Sequence, residues 1–185
     1  MMKATTGVLL LALAGTVWAD PQQVAVETVQ LEDADTLLID VGGVKYRIQL
    51  PGVDAPENTM NPKLQRDIER TGLDAETLLG LGRAADEGLR GLLVEFTPYV
   101  LDFDPDRRDK YGRVPGDLLD AQGRRLSVRL VESGYAIPMP TTLSAQQVLP
   151  DPALAEAVGE RRGLWGSHAD AFAAWAQPAN TPRAK

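Results

Sequence analysis

Strand-like patterning recurs in five short stretches of the chain. Residues 24–31 (VAVETVQL) and 36–41 (TLLIDV) are rich in Val, Leu and Thr, and the acidic group Glu32-Asp33-Ala34-Asp35 separates them. Two strands joined by a turn are predicted. After Gly42-Gly43, residues 44–50 alternate Val44, Tyr46, Ile48 and Leu50 with Lys45, Arg47 and Gln49, which predicts a half-buried strand with one polar face. Pro51-Gly52 ends it, and Pro56 keeps Ala55 extended. Residues 99–103 and 114–119 are the remaining strands, divided by the charged loop 104–112.

A helical period runs from Gly80 to Val94. Ala84, Ala85, Leu89, Leu92 and Leu93 fall on one side, and Arg83, Asp86, Glu87 and Arg90 on the other. Shorter helices are predicted at 127–133, stopped by Gly134, and at 152–162, stopped by Gly163. The irregular stretch 58–80 holds one short helical segment at 64–70. Five short strands interleaved with three helices imply an α+β domain built on a small closed or nearly closed barrel.

The ends of the chain are read differently. Lys3, the apolar run 7–15 (GVLLLALAG) and Val17-Trp18-Ala19 have the layout of a secretory signal peptide cut after Ala19. Residues 20–166 are then the folded domain, 167–185 a flexible tail, and the location periplasmic or secreted, with no membrane anchor after cleavage. No apolar stripe is left over for a partner, so a monomer is expected.

Composition narrows the chemistry. The chain has no Cys and a single His, His168, which excludes disulfides, thiolate metal sites and cysteine nucleophiles and leaves no room for a multi-histidine site. A metal would have to sit on oxygen. Net charge is −7, and residues 20–44 contain six acidic and no basic residues. A tight nucleic-acid contact is therefore confined to a local patch, for which Arg107, Arg108, Lys110, Arg113, Arg124, Arg125 and Arg129 are the candidates.

Singly, each acidic motif has an ordinary reading as a turn cap, a strand exit or a solvated loop. In sequence order, Asp33-Ala34-Asp35-Thr36, Gly52-Val53-Asp54-Ala55-Pro56-Glu57, Asp109-Lys110-Tyr111-Gly112-Arg113 and Leu164-Trp165-Gly166 resemble the staphylococcal nuclease (thermonuclease) family over residues 24–166. The resemblance implies a five-stranded OB-fold barrel with three helices, one Ca²⁺ ion, and hydrolysis of the phosphodiesters of DNA and/or RNA. It assigns Asp35, Asp54 and the Ala55 backbone carbonyl to the metal, Glu57 to general-base work and Arg113 to the phosphate. Lys110 and Tyr111 would line the phosphate subsite. Two carboxylates, a carbonyl, waters and a phosphate oxygen suit a hard cation that takes six to eight oxygens.

The pattern departs from the family at Gln49, where a second phosphate-binding arginine is expected. Gln is neutral and offers no ionic contact to phosphate. Arg47, two residues earlier on the same strand face and about 6.6 Å away, is the candidate to replace it. A rate below that of the family's best members is expected. Pro140 and Thr142 fall near positions where family tyrosines flank the nucleotide, so base stacking there is not supported. A second reading makes the chain a catalytically impaired OB-fold that binds nucleic acid or a protein.

Overall fold

The computed structural model describes residues 22–26, 28–139 and 151–177. The expected signal peptide, residues 1–19, and the positions Pro140 and Thr142 lie outside the described residues. Strand β1 is Gln22–Val26, β2 Val29–Leu31, β3 Thr36–Val41, β4 Val44–Gln49, β5 Val53–Asp54, β6 Tyr99–Phe103, β7 Val114–Leu119 and β8 Ile137–Pro138. The main sheet runs β1-β6-β7-β4-β3-β2. Its two outer members, β1 and β2, are consecutive in the chain and separated only by residues 27 and 28. β1 also contacts β3, so the two ends of the sheet approach one another as in the expected five-stranded OB-fold barrel.

Local sequence explains the register. Gly42 and Gly43 both have positive φ, which the two-residue turn between β3 and β4 requires, and the pairing from Val41 with Val44 to Thr36 with Gln49 follows. The alternation then sends Leu37, Ile39 and Ile48 inward, where they meet Leu101, Phe103, Val114 and Leu118 with almost no exposure. β4 and β7 pair in parallel, with Gln49 beside Pro115. That register sets β4 next to the end of the charged loop.

Helix α1 is Pro62–Thr71, α2 Ala75–Phe96, α3 Leu126–Glu132, α4 Asp151–Gly159, α5 Leu164–Ser167 and α6 Ala169–Ala176. Among the described residues there are thus six helical segments rather than three: α2, α3 and α4 answer to the helices expected at 80–94, 127–133 and 152–162, α1 contains the short segment expected at 64–70, and α5 and α6 are additional. α2 starts at Ala75, earlier than the apolar period suggests, because Asp74 caps it by accepting from the Thr77 backbone N–H at 2.8 Å. Residues 169–176, expected to be part of a loose tail, form α6 with Phe172 and Trp175 buried. Trp165 meets Phe172 edge-on and Phe172 stacks on Trp175, with ring centroids 4.6 and 5.4 Å apart. Two large aromatics three residues apart supply in one helical turn what the Ala-rich flanks lack. No helix among the described residues is long and apolar enough to cross a membrane.

Candidate active site

The turn between β2 and β3 fixes the first carboxylates. The Glu32 and Asp33 backbone N–H groups both donate to the Thr36 carbonyl, and Asp33 Oδ1 accepts from the Asp35 backbone N–H at 3.1 Å. Asp35 is buried. Its Oδ1 accepts from Thr36 Oγ1 and from Gln49 Nε2, each at 3.0 Å, and its Oδ2 accepts from the Ala55 backbone N–H at 3.2 Å. Asp35 is thereby held against the strand exit that carries Asp54. β5 pairs with β8, Val53 opposite Pro138 and Asp54 opposite Ile137, which anchors that exit.

Glu57 arrives three residues later, with α2 against its backbone. Gly82 makes the approach possible, since a Cβ there would fall 2.1 Å from the Glu57 carbonyl oxygen. Glycine in a helix interior costs on the order of 0.5–1 kcal/mol relative to alanine, and here the close approach is what that cost secures.

Helix α1 adds a residue that the motifs do not contain. Asn61 caps it through Oδ1, which accepts from the backbone N–H groups of Lys63 and Leu64 at 2.9 Å each, and Pro62 occupies the first helical position. The Asn61 Nδ2 donates to Glu57 Oε2. Lys63 Nζ then donates to the Ala55 carbonyl at 2.9 Å and lies 2.9 Å from Asp54 Oδ1 and 2.8 Å from Glu57 Oε1. An ammonium has three N–H donors, and here three oxygens face them. The helix is tied down further along. Asp67 accepts from Trp175 Nε1 at 3.0 Å and pairs with Arg70, whose other terminal nitrogen donates to the Gln177 carbonyl.

Charge is crowded in this cluster. Burial pushes Asp54 above the usual carboxylate range, and Lys63 only partly opposes it. Burial pulls the Lys63 ammonium down, but Asp54 and Glu57 more than reverse that, so its net shift is upward. The two rises have different causes, burial for Asp54 and the surrounding carboxylates for Lys63. Asp33 is pushed up to about 8 by burial, then by the charge of Asp35.

The loop 104–113 supplies the guanidinium. Asp109 accepts from the backbone N–H groups of Tyr111 and Arg113 at 2.8 and 2.9 Å and from Arg113 Nε at 2.9 Å. So held, Arg113 donates through one terminal nitrogen to Gln49 Oε1. Gln49, in the position expected for an arginine, is a neutral bridge from Arg113 to Asp35. Arg47 does not take that position. It pairs with Glu32 and donates to the Tyr111 carbonyl at 3.1 Å, on the rim of the site. Lys110 and Tyr111 are exposed on the loop, with Lys110 Nζ 4.9 Å and Arg113 Cζ 5.4 Å from the Tyr111 ring centroid. Of the basic stretch, Arg113, Arg124, Arg125 and Arg129 pair with carboxylates, while Arg107, Arg108 and Lys110 are exposed.

Asp35, Asp54 and the Ala55 carbonyl have the hard-oxygen chemistry that Ca²⁺ prefers. As arranged, though, the Lys63 ammonium holds Asp54 Oδ1 and the Ala55 carbonyl, and both Asp35 oxygens accept N–H bonds. Among the described residues, no three acidic or histidine side chains face one another in a metal-holding group. The donors present do not fit the ion while Lys63 keeps this position.

The sequence profile of the staphylococcal nuclease homologue family matches residues 47–167. The chain belongs to that family. The match begins within β4 and ends with α5, so the Asp33–Thr36 turn precedes it and α6 follows it. This nuclease-family chain is similar to endonuclease YhcR of Bacillus subtilis (strain 168), 27% identical over 127 residues. Those residues are 66% of this chain and 10% of that protein, so the chain spans about a tenth of its relative's length.

Sequence patterning passes over Lys63, Asn61 and Gly82 as parts of the site. Asn61-Pro62 is a readable helix start, and Gly82 inside a helical period marks a close approach. Nothing in the sequence says that Lys63 turns toward Glu57.

Proposed function

We propose that the chain hydrolyses phosphodiester bonds of DNA and/or RNA at the cluster of Asp35, Asp54, Glu57 and Arg113. The observation that carries this reading is their gathering from three separate segments of chain into one bonded network, through Gln49 on one side and Lys63 on the other. Glu57 accepts a hydrogen bond from the attacking water and takes its proton as the water oxygen bonds to phosphorus. Lys63 and Asn61 hold the carboxylate for that step. Arg113, with Nε and one terminal nitrogen committed to Asp109 and Gln49, offers its remaining terminal nitrogen to a phosphate oxygen. Lys110 and Tyr111 border the same approach. The leaving oxygen takes its proton from solvent.

Ca²⁺, which the family resemblance implies, enters this reading only if it displaces Lys63, and no step above runs through it. Because Gln49 is neutral, the rate should fall below that of a site with two arginines. We place the protein in the periplasm or outside the cell on the strength of the leader-like pattern ending at Ala19.

The test is cleavage of single-stranded DNA and RNA by the full chain and by Glu57→Gln, each in EGTA and in added Ca²⁺. Cutting by the parent chain and its loss in the variant support the reading. Binding without cutting in both conditions supports a second reading, an OB-fold that holds nucleic acid without hydrolysing it. Gln49 and the engagement of Glu57 by Lys63 favour that alternative.

A further inference from the structure

We propose that Lys63 is the site's own cation, seated where a divalent ion would need to bind and thereby keeping Ca²⁺ out. Its ammonium bonds to three oxygens from Asp54, Ala55 and Glu57 at 2.8–2.9 Å, and these include two of the oxygens that a metal would use. Two cations cannot share that point. Ca²⁺ would have to drive the ammonium out of a pocket where all three of its donors are satisfied and where it also lies 5.5 Å from the centroid of the Trp175 ring.

The placement is built into the fold at both ends of α1. Asn61 fixes the helix start and Glu57 together, while Leu64 is buried one residue beyond Lys63. Further on, Asp67 and Arg70 fasten the helix to Trp175 and Gln177 in and just after α6. A surface lysine that merely strayed toward carboxylates would need none of this.

The consequence for the site concerns charge. Lys63 neutralises part of the cluster permanently and orients Glu57, so phosphate approaches Arg113 without a metal. That consequence rests on the phosphodiesterase reading, whereas the exclusion of Ca²⁺ does not. Lys63 is a positioning residue here, because its donors are spent on protein oxygens.

The experiment is calorimetric titration of CaCl₂ into the full chain, into Lys63→Met and into Lys63→Met/Asp54→Asn, with far-UV circular dichroism to verify folding. The parent chain is expected to take up no Ca²⁺. Lys63→Met is expected to bind one ion with a Kd of about 10⁻⁴–10⁻³ M, in the range of extracellular calcium modules. The added Asp54→Asn should abolish that binding, a pattern that a merely structural lysine would not produce. Equal uptake by the parent chain and Lys63→Met, or none by either, overturns the proposal. Should Lys63→Met fail to fold, thermal melting of the parent chain decides, since a ligand that binds only the folded state must raise Tm. An unchanged Tm in ~10 mM Ca²⁺ upholds the exclusion, and a rise that Asp54→Asn removes overturns it. Cleavage is not the readout, so failure of the nuclease reading leaves this result intact.

Discussion

Glu57 and Asp117 are both buried carboxylates, and their surroundings differ in where the partners come from. Asp117, on β7, is fully enclosed and accepts from the backbone N–H and hydroxyl of Ser127, with Arg125 at 3.8 Å. Its partners lie within ten residues, and its work is local. α3 has no side-chain cap of its own at Arg125, and Asp117 takes an orphan N–H at the helix start. Glu57 sits instead with Asp54 and Asp35, and its cation is brought by a separate helix. Folding alone gives no reason to gather like charges from distant segments, so such crowding marks a site.

That contrast can be broken by substitution. The largest effect is expected for Glu57→Gln, which should lower cleavage by about 10²–10⁴-fold, the usual contribution of a positioned general base, while leaving Tm nearly unchanged. A fully active variant would place the chemistry elsewhere. Asp117→Ala should do the reverse, removing about 3–5 kcal/mol of stability, as expected when one partner of a buried pair is lost. Urea unfolding measures it. Unaltered stability with lost cleavage would invert the roles given to the two carboxylates.

Smaller effects sharpen the comparison. Gln49→Arg should raise the cleavage rate on the order of tenfold by adding a donor with charge beside Arg113 and Asp35. A lower rate in single-turnover assays would mean that the neutral bridge itself is needed. Asp117 gives a pH signature. Burial raises its pKa in the folded chain from 3.8 to about 6, against the pull of Ser127 and Arg125. The folded state therefore holds this proton more tightly than the unfolded one. Its contribution to stability is complete below the unfolded value and is lost as pH rises through the folded one. Between these limits, stability of the parent chain relative to Asp117→Asn should fall by about 1.4 kcal/mol per pH unit. Parallel stability curves for the two proteins would contradict the shift.

Much of the barrel is legible in the sequence because period-two alternation and the Gly42-Gly43 turn act locally. β5 and β8 are not, being two residues each and defined only by one another. The start of α2 is hidden by Gly80 and Gly82, which weaken the helical signal where the helix abuts Glu57. α6 escapes notice because Ala dominates it, although Phe172 and Trp175 suffice to dock it. For the site, the motif residues Asp35, Asp54, Glu57 and Arg113 are readable in order, and their bridging by Gln49 follows from the β4–β7 register. The direction of Arg47 toward Glu32 and of Lys63 toward Asp54 is decided by side-chain packing between distant segments. No one-dimensional pattern records it.

If Glu57 and Arg113 serve one phosphodiester, their effects cannot be independent. The direct measurement is kcat/KM for cleavage of a defined single-stranded oligonucleotide by the parent chain, Glu57→Gln, Arg113→Lys and the double variant. Residues that act as a unit are strongly non-additive, so the double variant should be little worse than the poorer single one. Fully multiplicative losses, or no cleavage by the parent chain, would contradict a shared site.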